Sequence, residues 1–208
     1  MESVPQSVSV QKDSDSIVYR LKGFYSSFAV LFKQEHTGFS VRVTDMELMA
    51  GYELLSVELP GLLQSTETDA TLINPYGGGR IVSLANARTQ NAVFFYDTCH
   101  FLAIGSQNGF VCADAADEPD AVLRQAVTAD PNRTLRAVIG AELRLHIPAK
   151  KAGLRSIPVK HKGLMVHFLP KGDWKAAAAI IRNRWSTEQQ PSTYANTLIY
   201  KMGVDASA

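Results

Sequence analysis

Hydrophobic and polar positions alternate over short stretches for most of the chain. In "FSVRVTD" (39–45), Phe39, Val41 and Val43 fall on one side and Ser40, Arg42 and Thr44 on the other. In "AELRLHIP" (141–148), Leu143, Leu145 and Ile147 oppose Glu142, Arg144 and His146. A period of two over this length predicts strands with one wet face. Other runs are apolar on both sides: "FAVLF" (28–32), "NAVFFYD" (91–97), "FLAIG" (101–105) and "LMVHFL" (164–169). These predict strands buried between layers. Turn signals separate them, as "HTG" (36–38), "NPYGGG" (74–79), "SQNG" (106–109) and "DPNR" (130–133). Many short strands with regular punctuation predict an all-β fold, a mainly antiparallel sandwich or barrel. "EPDAVLRQAVTAD" is divided: Pro119 and the alanines suit a helix, while Ala121, Leu123, Gln125 and Val127 keep period two. Strands on both sides tip this segment toward strand.

One segment near the end breaks the pattern. In "LPKGDWKAAAAIIRNRW" (169–185), Trp174, Ala177, Ala178, Ile181 and Trp185 recur with helical spacing and form a single apolar stripe. Asp173 is placed to cap the first turn, and Lys175, Arg182 and Asn183 face away from the stripe. Alanines between two tryptophans let such a helix sit close on its neighbour, with the indoles as anchors. The expected architecture is therefore a β-sandwich over 1–170, with an amphipathic C-terminal α-helix and its continuation over 171–208.

Composition narrows the function classes. The chain has 208 residues, 46% hydrophobic and 20% charged, enough for one domain with a sizeable core. A net charge of +1 gives no electrostatic case for nucleic acid or an anionic membrane. No apolar run approaches a membrane span. The opening "MESVPQSVSVQKDSDS" is polar and carries no secretory signal, which makes the protein cytoplasmic if Met1 is the native start. Cys99 and Cys112 flank a hairpin whose turn lies near Asn108-Gly109. A tight turn there sets Cys112 opposite Ala103 to Gly105, away from Cys99, so buried free thiols are expected in place of a disulfide.

The motif "KGDWKAAAAIIRNRW" resembles a helix of large carbohydrate-active enzymes, in which an N-terminal β-sandwich leads through a "GDW..AA..YR.W" segment into a TIM-barrel glycoside hydrolase domain. The relatives are glycosidases of the α-galactosidase and endo-α-N-acetylgalactosaminidase kind. Gly172, Asp173, Trp174, Ala177, Ala178, Arg182 and Trp185 match, whereas Ile181 stands where the family more often has Tyr. Pro60, Pro75 and Gly77 to Gly79 resemble the family's strand, Pro, polar loop and Gly-rich turn. "NAVFFYDTCHFLAIGSQNG" is similar to one of its hairpins, and "NTLIYKMGVD" to the lead-in before its barrel. The resemblance implies a galactose-mutarotase-like supersandwich, a non-catalytic module that supports a barrel and touches glycan. Such a barrel needs roughly 250 residues, so it is expected outside this chain, with Trp174, Ile181 and Trp185 as the interface to it. The catalytic carboxylates would lie in that barrel, so no catalytic residue transfers to this chain. A stand-alone carbohydrate-binding or lectin-like sandwich, or a structural interaction module, is the alternative.

Candidate chemistry within the chain is sparse. "NPYGGGR" offers Asn74, Tyr76 and Arg80 to a sugar, as amide, stacking face and planar donor, with glycines that allow close approach. It lacks the Lys-Ser/Thr of a phosphate-binding loop, and an ordinary sandwich turn is the competing account. His36, His100, His146, His161 and His167 have no partner at helical ligand spacing; a strand histidine is more often solvent-facing or hydrogen-bonded than a metal ligand. No metal site or cofactor is expected. Asp97, Cys99 and His100 are too close in sequence for a nucleophile and base. Asp114, Asp117, Glu118 and Asp120 read as a solvated acidic loop, with weak Ca²⁺ binding as the minor alternative, and Glu67 and Asp69 as polar loop, neither specifying an acid–base pair. The basic stretch 148–163 has no aromatic rings for base stacking and reads as a solvated connection.

Overall fold

The computed structural model describes residues 5–74, 80–87, 100–115, 121–129, 134–147, 163–170 and Ala179. The strands are β1 (Ser7–Lys12), β2 (Ser16–Lys22), β3 (Ser26–Glu35), β4 (Gly38–Leu48), β5 (Leu54–Ser65), β6 (Thr71–Asn74), β7 (Arg80–Ser83), β8 (Phe101–Ser106), β9 (Gly109–Asp114), β10 (Ala121–Ala129), β11 (Leu135–Ile147) and β12 (Leu164–Leu169). A 3-10 turn at Leu84–Asn86 follows β7. Every strand pair is antiparallel. The expectation of a mainly antiparallel β protein therefore holds. The tryptophan helix lies outside the described residues, except that Ala179 is helical.

The strands form a nine-stranded sheet in the order β1-β2-β3-β4-β12-β9-β8-β6-β7 and a three-stranded sheet in the order β10-β11-β5. One apolar core draws on both. Val41, Val43, Leu102 and Ile104 come from the large sheet, and Leu123, Ile139 and Leu143 from the small one. Contacts between the layers centre on β8, which β10 and β11 approach. The divided segment is the strand β10, in hairpin register with β11 from Ala121↔Leu143 to Ala129↔Leu135. Its neighbour on both sides of the sequence is strand, and pairing with the long β11 satisfies every second backbone group that a lone helix would have satisfied internally.

Two irregularities keep apolar residues inward. Along β4 the buried apolar positions are Val41, Val43, Met46 and Leu48, so their period slips by one residue between Val43 and Met46. The slip is a bulge opposite Phe28, and Asp45 within it has φ 48°. A short polar side chain tolerates that left-handed backbone better than a β-branched one would. In β5, Pro60 does not end the strand. The register with β11 shifts between Ile139 and Ala141, which lets the strand run on to Ser65 past a residue that has no N–H to donate.

The face of the large sheet turned away from the small one is also dry around β8 and β9. Phe101, Ala103, Phe110 and Cys112 form a second buried cluster there. All of Phe101 to Gly105 is buried, as the unbroken apolar run "FLAIG" predicts. Gly105 lies under the Phe110 ring, where a Cβ would come within 2.3 Å of the ring carbons. The hairpin register pairs Ala103 with Cys112, which is fully buried and free.

Candidate functional site

Besides the ion pairs of Arg124 with Glu58 and Glu142 on the small sheet, two places among the described residues gather chemistry-bearing side chains. The first is the end of the large sheet where β2 turns into β3 and β4 turns toward β5. The β2–β3 turn closes through Gly23 N–H to Ser26 C=O at 2.8 Å, which throws Phe24 outward. The β4–β5 turn passes through Gly51, whose φ of 86° suits glycine, and Tyr52 N–H donates to Met49 C=O at 3.3 Å. Met49 N–H donates to Tyr25 C=O at 2.8 Å and ties the two turns together. Three rings become neighbours in consequence. Tyr25 stacks on Tyr52 with centroids 4.3 Å apart and planes at 24°, and Phe24 lies 6.2 Å from Tyr25. Phe24 is 67% exposed, Met49 52% and Tyr52 39%. Desolvation, then the charge and hydrogen bond of the Tyr25 hydroxyl, push the Tyr52 phenol above its ordinary range. Large apolar groups grouped at the surface in this way mark a contact site more often than singly scattered ones.

A groove of about 500 Å³ lies across the strands that lead to this end, lined by Ser9, Arg20, Lys22, Ser27, Asp45 and Glu47 together with the apolar Val8, Leu21 and Phe28. Its charged and hydroxyl-bearing walls come from strand residues that alternate with the core-packed Leu21 and Phe28. Arg20 Nη1 donates to Asp45 Oδ2 at 3.2 Å, and Ser27 Oγ to Glu47 Oε2 at 3.1 Å. Asp45 reaches Arg20 because the bulge turns it out of the strand's alternation. The groove offers carboxylates, a guanidinium, an ammonium and hydroxyls, and the rings, which do not line it, offer aromatic faces at the end of the same sheet.

The second place is the buried face of β9 and β12. Thr37 in the β3–β4 turn shares a 2.9 Å hydrogen bond with His167 Nδ1, and His167 Nε2 lies 3.4 Å from Asp114 Oδ2. Cys112 is opposite His167 across the ladder. This row resembles a nucleophile–base–acid relay only in composition. The Cys112 thiol is buried, and desolvation followed by the Asp114 charge pushes it up to about 12, so it stays protonated and inert. The arrangement holds the β3–β4 turn onto β12, helped by the Phe168 N–H bond to Thr37 C=O at 2.7 Å. Gly38 makes that approach possible, since a Cβ there would sit 1.9 Å from the Val166 carbonyl oxygen.

The residues singled out from sequence fare unevenly. Asn74 ends β6, is 5% exposed and pairs with Arg80 across the hairpin to β7. Tyr76, the Arg80 side chain, Trp174, Ile181 and Trp185 lie outside the described residues, as do Cys99 and the basic stretch up to Lys162. Asp114 is a correction. It is the last residue of β9 and is buried, because the ladder to β12 continues through it, whereas a solvated loop was expected. Glu67 and Asp69 also have a definite task. Asp69 Oδ2 accepts from Gln107 N–H at 2.6 Å and Glu67 Oε1 from Asn108 Nδ2 at 2.7 Å, clasping the β8–β9 turn. Among the described residues no three His, Cys, Asp or Glu converge as metal ligands. None of the described helices is long and apolar enough to cross a membrane.

The aromatic end went unseen in the sequence, although "KGFYS" and "MAGY" each set an aromatic beside a glycine in a polar turn. Nothing local links two turns some 25 residues apart in the chain. The fold and these sites define an antiparallel β protein of two sheets around one core, with a surface aromatic cluster and a groove of mixed apolar and charged lining on the large sheet. No protein-family model matches the chain, and no curated protein matches it in sequence.

Proposed function

We propose that this chain is the non-catalytic N-terminal β-sandwich module of a carbohydrate-active enzyme of the glycoside hydrolase kind, a supersandwich of the galactose-mutarotase-like type. It contacts glycan at its aromatic end, and the Trp174 helix braces a catalytic TIM barrel. The observation that carries the glycan contact is the cluster of Phe24, Tyr25 and Tyr52 at the end of the sheet that carries the groove of Arg20, Asp45 and Glu47. Sugar rings present apolar C–H faces that pack on aromatic side chains, while their hydroxyls bond to carboxylates and guanidinium groups. The Gly-Asp-Trp motif and its alanine spacing support the module reading.

The groove's own carboxylates are not set up for hydrolytic chemistry. Glycoside hydrolysis uses one carboxyl held protonated by apolar enclosure and a second that stays ionised. Asp45 is exposed and paired with Arg20, and Glu47 accepts from Ser27, so neither has that enclosure.

Titration of the chain with a panel of neutral and acidic oligosaccharides, followed by calorimetry, tests the contact. Binding that is weakened several-fold in Tyr52→Ala is the expected result, and absence of binding to every member removes the carbohydrate assignment. Assay on aryl glycosides should give no turnover; hydrolysis by this chain would contradict the non-catalytic role. The intact mass of the native product checks the module reading separately. A polypeptide carrying a further barrel of roughly 250 residues is expected, and a native product ending at Ala208 would leave the lectin-like alternative in its place.

A further inference from the structure

Sheet edges differ in how they are protected. The β5 edge carries Pro60 and a register shift, the β7 edge has four residues, and β10 is buried along most of its length. These are the usual devices against unwanted strand pairing. The β1 edge has none of them. Its six residues, "SVSVQK", are all exposed, unbroken in register with β2, and free of proline. Val8 and Val10 are 55% and 51% exposed, large values for valines in a ladder.

The direction of the free backbone groups follows from the hairpin. Asp13 N–H donates to Ser16 C=O at 2.9 Å, so Asp13 is in a hydrogen-bonded pair, and alternation assigns Ser7, Ser9 and Gln11 the same inward sense. Val8, Val10 and Lys12 then aim their N–H and C=O groups at solvent. Side chains sort likewise. Val8 and Val10 continue the core-side rows Leu21–Phe28 and Tyr19–Val30, beyond the reach of the small sheet, while Ser7, Ser9 and Gln11 are on the groove side.

We propose that β1 pairs antiparallel with β1 of a second copy of this chain, about a two-fold axis at Ser9. In that register Val8 faces Val10 of the second copy and exchanges both backbone hydrogen bonds with it, and Val10 does the same with Val8. Valines meet valines on one face, and Ser9 meets Ser9 on the other. The strand's single charge, Lys12, falls past the Val8–Val10 pairs beside Gln6 of the second copy, which precedes β1 and has its own N–H turned inward to Lys22 C=O, so no like charges face each other. A shift of two residues would instead set Lys12 against Val8 in one direction or Val10 against Gln6 in the other, and a shift of one would exchange the two faces of the strand. The axis at Ser9 is thus the register in which the sequence complements itself. It also brings the two grooves together, because Ser7, Val8 and Ser9 line each of them. The interface belongs to the small, weak and reversible class.

Sedimentation from about 1 to about 300 μM, the micromolar range to which small interfaces belong, should show reversible dimers. Val10→Pro removes only a solvent-directed N–H and leaves the β1–β2 ladder its bonds, so it should yield monomer with unchanged far-ultraviolet circular dichroism. Val8→Lys/Val10→Lys and Val8→Glu/Val10→Glu should each be monomeric and should form a mixed dimer when combined. Ser9→Cys should cross-link to a covalent dimer under mild oxidation, well beyond the wild type and beyond Gln11→Cys, since only Ser9 faces its own copy. A monomer at every concentration overturns the pairing. So does a dimer that survives Val10→Pro and the lysine pair, or equal cross-linking through Ser9→Cys and Gln11→Cys.

Discussion

Cys112 illustrates how one residue's environment fixes its chemistry. Its thiol is raised from 9.0 to about 12 because burial and the Asp114 carboxylate both disfavour the thiolate. A group whose folded-state value is raised contributes stability that is full below pH about 9 and is lost as pH climbs toward 12. Urea midpoints measured from pH 8 to 11 should therefore fall less steeply in Cys112→Ala than in the wild type, and parallel slopes would remove this account. Tyr52 acts through its exposed face instead. Losing one stacking ring costs about 0.5–1.5 kcal/mol, so Tyr52→Ala should weaken oligosaccharide binding several-fold while Tyr52→Phe retains most of it. An equal loss in both would assign the effect to the hydroxyl. Neither behaviour is legible in isolation: "VCAD" announces a strand thiol, but only its place between β8 and β12 makes it inert.

At the scale of elements, the slip in β4 matters most. Asp45 occupies the extra position that brings Met46 and Leu48 back to the core after Val41 and Val43. Deleting Asp45 would turn both residues outward, since a one-residue shift exchanges the two faces of a strand. No folded protein is expected from that deletion. Asp45→Gly should be close to neutral, and Asp45→Val should cost about 1–2 kcal/mol for its left-handed backbone. Equal stability of the valine and glycine variants in urea melts would argue against the bulge. Gly38→Ala should cost at least about 2 kcal/mol, as overpacking against a neighbouring strand's backbone commonly does. The alternation "FSVRV" was readable, and so was the hairpin "FLAIGSQNGFVCAD". The continuation of β5 through Pro60 was not, because a proline reads locally as an ending and only the pairing with β11 carries the strand past it.

For the whole molecule, the shared core makes the two sheets one cooperative unit. Leu123 and Ile139 of the small sheet pack in the same cluster as Val41 and Leu102 of the large one. Leu123→Ala should lower global stability by about 2–5 kcal/mol, as truncation of a fully buried leucine does. Hydrogen exchange should register the loss equally in β8 and β11. A loss confined to β10 and β11 would mean that the small sheet unfolds on its own.

Period-two alternation and turn residues settled, from sequence alone, that the chain is a mainly antiparallel β protein, and they located the hairpin that pairs Ala103 with Cys112. Alternation reports which residues share a face, and a tight turn reports its own register, because both are local. Tertiary structure alone decided that β12 enters between β4 and β9, which buries Asp114 and sets His167 within reach of it and of Thr37. It also decided that Phe24, Tyr25 and Tyr52 meet at one end of the large sheet. Many strand orders satisfy the same local pattern, and the choice among them rests on burying two apolar faces at once, a property of the assembled chain that no short window contains.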